Sequence, residues 1–207
     1  MNLSTVLHVV AGMIPAILAI TMHEVAHAWA ANRLGDPTAA RLGRLSLNPL
    51  RHVDPIGTVL VPAIVYLSSH FFFGWAKPVP VIWQNLRRLP RDIALVAVAG
   101  PAANLAMLIG WVAVLKVCSA DSLLAFMSET GIGFNATIML LNLIPIPPLD
   151  GSRIVTAALP RAAALAYNKL EPFGLIIMAV LLATGVVGAL LNPGMRALEY
   201  VIRMVIN

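Results

Sequence analysis

Apolar residues lie in long runs along the chain, and most charged residues lie in the short stretches between these runs. A helix crosses the hydrocarbon of a membrane when about 18 or more consecutive residues are predominantly apolar. Runs of this kind lie at about 3–31, 56–73, 93–115, 132–149 and 173–191. An amphipathic stretch at 195–206 follows them, and we expect it to lie along the membrane surface. The pattern predicts an all-α polytopic membrane protein with about five transmembrane segments.

One stretch, near residues 72–83, does not fit a helix. It contains Pro78 and Pro80 and alternates in polarity, which favours an extended or β conformation. Basic loops face the cytoplasm, and the polar loops 32–54 and 77–91 are both basic. We therefore expect the chain to re-enter at this stretch after the second apolar run. The alternative is that this run crosses the membrane and one loop departs from the charge rule.

Composition supports a membrane protein and argues against other classes. The chain has 207 residues, of which 59% are hydrophobic and 11% charged, whereas soluble domains carry about 25% charged residues. The net charge of +5 arises in short loops, and no basic run is interleaved with aromatic residues as in nucleic-acid-binding proteins. The single cysteine, Cys118, excludes an intramolecular disulfide and a thiolate metal cluster. We expect one membrane-embedded domain, 1–207, with its core at about 3–155.

The most informative polar residues lie inside the first apolar run. His23 and His27 are one helical turn apart, so both imidazoles can reach the same ion. Glu24 lies about 100° around the helix from His23, where it can act on a water bound to that ion. Two nitrogen ligands beside a base are what a zinc hydrolase requires. Ionisable groups at membrane depth are costly, which makes a chance occurrence the weaker interpretation.

A catalytic zinc ion usually has three protein ligands, so a third must come from elsewhere. Soluble versions of the motif have another histidine where this chain has Arg33. The remaining candidates are the carboxylates and His52. Asp150 stands out because prolines end the fourth apolar run just before it and Gly151 lets the backbone pass closely. The alternative for Asp150 is a turn residue at a helix end.

Three motifs in this order resemble the site-2 protease family of intramembrane zinc metalloproteases: His23-Glu24-Val25-Ala26-His27, Gly100-Pro101-Ala102-Ala103-Asn104, and the stretch from Asn142 to Asp150-Gly151. The similarity covers about residues 10–155 and is greatest to the compact bacterial and archaeal form, without a PDZ or CBS domain. The resemblance implies one Zn²⁺ per chain, held by His23, His27 and Asp150. It also implies that Glu24 is the general base and that Asn142 holds the substrate or its oxyanion.

Other polar residues have two interpretations each. Asn104 either bonds to backbone freed by the neighbouring proline or faces the substrate cleft. Asn142 could instead make a hydrogen bond between helices. His52 and Asp54 are candidates for groups that support the metal ligands, or they belong to a loop salt bridge.

The predicted function is hydrolysis of a peptide bond within the transmembrane helix of another membrane protein. The helix must unwind locally, and Gly74, Lys77 and Pro78 belong to the extended stretch that we expect to bind the unwound segment by strand addition. The partners are then a transmembrane substrate and the lipid bilayer, and not nucleic acid. We expect a multi-pass protein of a prokaryotic cell membrane with its active site towards the cytoplasm. The alternative is a non-proteolytic zinc-binding protein or transporter.

Overall fold

The computed structural model describes residues 3–54, 57 and 77–206, and no strand occurs among them. In chain order the α-helices are α1 (Leu3–Leu34), α2 (Thr38–Arg41), α3 (Arg91–Val117), α4 (Leu123–Asn142), α5 (Asp150–Ala158), α6 (Arg161–Asn168), α7 (Gly174–Ala183) and α8 (Val186–Ile206). Short 3-10 turns lie at Pro49–Arg51, Trp83–Asn85 and Glu171–Phe173. The predicted all-α character is confirmed for this part of the chain.

Helices α1, α3 and α4 pack against one another and form the centre of the molecule. Their facing surfaces carry small and polar residues, including Ala19, Ala28 and Asn104, all of which are completely buried. Their outer surfaces remain apolar, and Val10 and Ile109 are 53% and 59% exposed. Small residues at helix contacts and apolar residues on the outside are typical of helices surrounded by lipid.

Among the residues that the structure describes, four segments are long and apolar enough to cross a membrane: Thr5–Leu34, Arg91–Val117, Leu123–Asn142 and Arg161–Ala183. They agree with four of the five predicted segments in number, although not in every boundary. The remaining predicted segment, 56–73, lies outside the described residues except for Gly57. Gly74 and the first part of the predicted re-entrant stretch also lie outside them, so re-entry remains a prediction.

Helix α4 corrects the predicted boundaries of the fourth segment, which were 132–149. The helix begins at Leu123 because the Ser122 hydroxyl accepts a 3.0 Å hydrogen bond from the backbone N–H of Ala125. Polar residues had suggested a loop up to residue 130. Ser128 and Thr130 instead donate to carbonyl oxygens one turn earlier, at 2.8 and 2.7 Å, which satisfies their hydroxyls inside the helix.

The last predicted segment, 173–191, is not one helix. It breaks between α7 and α8 at Gly185, whose φ of +75° is readily adopted only by glycine. Helix α8 contains the amphipathic stretch predicted to lie on the membrane surface. Its apolar side chains pack against α3 and α4, where Met195, Leu198 and Ile202 cover a cluster around Leu108. The position of this stretch at the membrane surface remains a prediction.

Residues 77–82 have no regular secondary structure, so this described part of the predicted extended stretch forms no strand within the protein. Backbone N–H groups hold the segment instead: Lys77 donates to the carbonyl of His52 at 2.9 Å, and Arg87 donates to the carbonyl of Leu34 at 3.1 Å. The segment therefore runs beside the C-terminal end of α1, next to the predicted metal ligands.

Candidate metal centre

Three potential ligand atoms meet where α1 approaches the first residue of α5. The Nε2 atoms of His23 and His27 are 3.1 Å apart, and each lies 3.2 Å from Oδ2 of Asp150. A tetrahedral zinc ion with bonds of about 2.0–2.1 Å has ligand atoms about 3.3–3.4 Å apart. The three atoms therefore have nearly the spacing of one face of a zinc coordination tetrahedron.

Hydrogen bonds on the far side of each imidazole indicate which nitrogen carries the proton. His27 Nδ1 lies 2.8 Å from the carbonyl oxygen of Val96, which can only accept. His23 Nδ1 lies 2.6 Å from Oδ1 of Asn104, whose orientation is fixed because its amide nitrogen donates to the carbonyl of Ala19. Both Nδ1 atoms are therefore donors, and in the neutral imidazoles that bind a metal both Nε2 atoms present lone pairs.

The electrostatics of this arrangement favour a cation. Two imidazole lone pairs and a carboxylate oxygen point at one another within 3.2 Å. Oδ2 of Asp150 is buried and has no hydrogen-bond donor of its own among the described residues. Buried acceptors without donors are destabilising, whereas a bound divalent ion would satisfy all three. The donor set, two nitrogens and one oxygen, suits zinc.

Asn104 is completely buried and uses its side chain inside the protein, so it does not face the cleft as one interpretation held. Its amide nitrogen also donates to Oδ1 of Asn135 at 2.9 Å. Asn135 is itself completely buried and donates to the carbonyl of Gly131. A chain of hydrogen bonds thus runs from α4 through α3 to His23. The sequence analysis missed Asn135, although an asparagine within an apolar helix is the signal that could have identified it.

Two glycines make the approach of the ligands possible. A Cβ atom at Gly100 would collide with Nε2 of His27 and with the imidazole of His23, so this position of α3 leaves room for both rings. A Cβ atom at Gly151 would collide with the carbonyl groups of Leu143 and Ile144. The predicted close passage of the backbone at Gly151 therefore exists, and it brings Asp150 to the histidines.

Glu24 is half-buried, and its Oε2 accepts a 2.9 Å hydrogen bond from the backbone N–H of Val79. Glu24 and the three potential ligands line the same cavity of about 1200 Å³. Asn142 lines it as well, and one amide hydrogen of Asn142 goes to the carbonyl of Ile138 in its own helix, at 3.0 Å. Side chains from α7 and α8 close the cavity and are mostly apolar, among them Leu175, Met178, Leu182 and Leu191.

The other described residues that were predicted to belong to the site lie at the start of segment 77–82 or in the loop after α2. His52 is buried, and its Nε2 lies 2.9 Å from the carbonyl of Ser46. Oδ1 of Asp54 accepts from the backbone N–H of Gly57 at 3.0 Å. The partners of the ligand imidazoles are instead Asn104 and the Val96 carbonyl. Pro78 lines the cavity, whereas Lys77 is exposed.

Asp36 is a buried carboxylate that the sequence analysis treated only as a loop charge. Burial alone opposes its ionisation, but hydrogen bonds from Thr38, Asn85 and the backbone of Ile82 outweigh this effect and lower the pKa of Asp36. The signal in the sequence was an aspartate between Gly35 and Pro37, directly after a helix. Its partners Ile82 and Asn85 could not be foreseen, because they lie more than 40 positions later.

Similarity to known protein sequences agrees with this geometry. The chain is 36% identical over 196 residues to a Bacillus subtilis protein described as "Putative zinc metalloprotease YwhC". The aligned region covers 89% of this chain and 85% of that protein. It is 32% identical to the Rip2 protein of Mycolicibacterium smegmatis, over 81% of this chain and 64% of the relative. The Rip2 protein of Mycobacterium tuberculosis is 30% identical, over 80% of this chain and 63% of the relative.

The two Rip2 proteins carry the same zinc metalloprotease description. No family model and no solved structure matches the chain. The relatives nevertheless show its class: the protein belongs to the site-2 protease family of zinc metalloproteases. The predicted family resemblance is thereby confirmed, and so is zinc as the cofactor that the family implies.

Proposed function

We propose that this protein is an intramembrane endopeptidase that cuts the transmembrane helix of another membrane protein, with its zinc held by His23, His27 and Asp150. The observation that carries the proposal is the cluster of three lone-pair donors beside Glu24. His23 and His27 lie on α1, which is long and apolar enough to span a membrane, and the cluster opens into a cavity with mostly apolar walls. An apolar cavity next to a hydrolytic centre suits an apolar helical substrate.

Zinc bound at this site would supply Lewis acidity, polarising the scissile carbonyl and making water easier to deprotonate. Glu24 takes the proton of the attacking water and later gives it to the leaving amine. The N–H of Val79 holds one oxygen of the Glu24 carboxylate, so the other oxygen is available for this transfer. A protein that only binds or transports zinc has no use for a base held in this way.

Asn142 is the proposed donor to the oxyanion that forms when water adds to the scissile carbonyl. Its side chain lines the cavity, and the bond to Ile138 uses only one of its two amide hydrogens. Donors of this kind contribute about 3–4 kcal/mol to the transition state in other hydrolases.

The backbone of residues 77–80 suggests how an unwound substrate would bind. The N–H groups of Lys77 and Val79 are already used, and Pro78 and Pro80 have none. No described residue donates to the four carbonyl oxygens of this stretch. We therefore expect strand addition in which residues 77–80 accept hydrogen bonds from N–H groups that the substrate helix frees on unwinding.

Basic residues indicate the side of the membrane on which the site lies. The two histidine ligands are near the C-terminal end of α1. There the guanidinium of Arg33 lies 5.5 Å from the ring of the exposed Trp29. Tryptophan and arginine at a helix end are typical of the membrane–water boundary. Arg87, Arg88 and Arg91 lie at the adjacent start of α3. By the positive-inside rule, these residues support a metal centre that faces the cytoplasm.

The test is cleavage of a tagged single-span protein in liposomes by the wild type and by Glu24→Gln. We expect the wild type to cut within the span, as located by mass spectrometry, and Glu24→Gln to keep its zinc but not cut. Cuts only outside the span would refute an intramembrane protease. If both proteins hold zinc and neither cuts a panel of spans, the zinc-binding or transport alternative takes its place.

A further inference from the structure

Asp36 connects two parts of the chain that are distant in sequence. The residue follows α1, and its side chain is completely buried. It accepts two hydrogen bonds from Thr38, from the backbone N–H at 3.2 Å and from the hydroxyl at 2.5 Å. It also accepts the backbone N–H of Ile82 at 2.7 Å and the amide of Asn85 at 2.9 Å. The Thr38 bonds close a local turn, whereas the other two hold a different segment against α1.

Gly35 shows how closely this segment approaches the end of α1. Its φ is +120°, and a Cβ atom there would lie 2.9 Å from both the carbonyl oxygen of Asn85 and the Cγ of Arg87. A side chain at position 35 would therefore push the segment away, in addition to straining the backbone. Position 35 and Asp36 together define a docking point for residues 82–87.

The docking point is three residues from the contact with the proposed general base. Val79 donates its backbone N–H to Glu24, and Ile82 donates its own to Asp36. Pro80 lies between them and restricts the backbone torsion there. A shift of Ile82 is therefore expected to displace Val79 as well.

We propose that Asp36 is a positioning residue that fixes residues 79–85 against α1 and thereby keeps the Val79 N–H on Glu24. The catalytic meaning of this contact depends on the proposed role of Glu24, but the mechanical coupling between Asp36 and Val79 does not. The described contacts of Asp36 are with Thr38, Ile82 and Asn85, whereas the metal-ligand imidazoles are supported by Asn104 and the Val96 carbonyl. Loss of Asp36 should therefore leave zinc bound.

Hydrogen exchange on the full-length protein in nanodiscs tests the coupling directly. Pro78 and Pro80 have no amide hydrogen, so Val79 is the only exchanging amide between positions 78 and 80. We expect Asp36→Ala to accelerate exchange at both Ile82 and Val79 by about tenfold, which corresponds to the loss of about one hydrogen bond. Glu24→Ala is the reciprocal test: it should accelerate exchange at Val79 most and, because coupling between two contacts is mutual, at Ile82 to a smaller extent.

Faster exchange at Ile82 with unchanged exchange at Val79 would overturn the proposal. Asn85 is exposed, so Asn85→Ala removes one hydrogen-bond donor to Asp36 without leaving a cavity in the core. This variant provides the same test if Asp36→Ala does not fold. Asn85→Ala should also accelerate exchange at Val79, but by a smaller factor than Asp36→Ala. Thr38→Val, which affects only the local turn, should leave Val79 unchanged.

Zinc content and kinetics supply the second readout. For Asp36→Ala we expect zinc to stay at about one per chain while kcat falls by about tenfold. A loss of zinc in parallel with activity would indicate a merely structural role and overturn the proposal. If the wild type itself does not cleave while Asp36 and Val79 remain coupled in exchange, the protease proposal fails and the positioning of Val79 by Asp36 stands.

Discussion

The metal donors and the segment at 77–87 are neighbours, but they are held by different kinds of contact. The imidazoles are fixed by side chains and backbone inside the helix bundle, through Asn104, Asn135 and the Val96 carbonyl. The segment is fixed mainly by its own backbone N–H groups, which donate to the carboxylates of Glu24 and Asp36. The comparison separates metal binding, which depends on the bundle, from alignment of the base, which depends on the segment.

The largest expected effect comes from removing a metal donor. Asp150→Ala leaves two imidazole nitrogens without the carboxylate, so we expect bound zinc to fall from about one per chain to a small fraction and cleavage to disappear. Metal analysis of the purified protein measures this, with Asp121→Asn in the exposed loop before α4 as the control. Full zinc content in Asp150→Ala would mean that another residue completes the site.

The next effect tests the space that α3 leaves for the imidazoles. Gly100→Ala places a methyl group against both rings, and we expect zinc affinity to fall by about 10- to 100-fold, as for other changes that disturb ligand orientation. Gly110→Ala is a matched control on the same helix, because a Cβ atom there meets nothing within 4 Å. A competition titration with a zinc chelator compares the two. Equal affinities would show that the rings do not depend on this glycine.

A pair of asparagines sharpens the comparison further. Asn104→Ala removes the partner of His23 Nδ1, and we expect zinc affinity to fall by about tenfold or more. Asn142→Ala leaves the metal supports intact, and we expect zinc to stay bound while kcat falls by about 100-fold and KM changes little. Zinc titration and steady-state cleavage distinguish them. Zinc loss in Asn142→Ala would contradict its role as an oxyanion donor.

The parts of the site that were predictable from sequence are those that depend on local spacing. His23, Glu24 and His27 share one helix, and the prolines after α4 mark the turn before Asp150. Relations between distant segments were not predictable. The chain from Asn135 to His23 and the contacts of Asp36 with Ile82 and Asn85 form only when separate elements pack together.

The fold shows the same limit at helix boundaries. Hydropathy identified the four candidate spans of the described residues, but it placed the start of α4 too late because Ser128 and Thr130 are polar and suggested a loop. Their hydroxyls bond to the preceding turn, an arrangement that single-residue polarity does not show. The break at Gly185 was missed because apolar residues continue on both sides of it.

The central claim is that two imidazoles and one carboxylate in the bundle form a zinc site, and X-ray absorption at the zinc edge of the purified wild type tests it most directly. We predict about one zinc per chain, with scattering from two imidazoles and oxygen donors at about 2.0–2.1 Å. The imidazole scattering should change in His27→Ala. Sulfur coordination, or a zinc spectrum that is the same in the wild type and His27→Ala, would contradict the account.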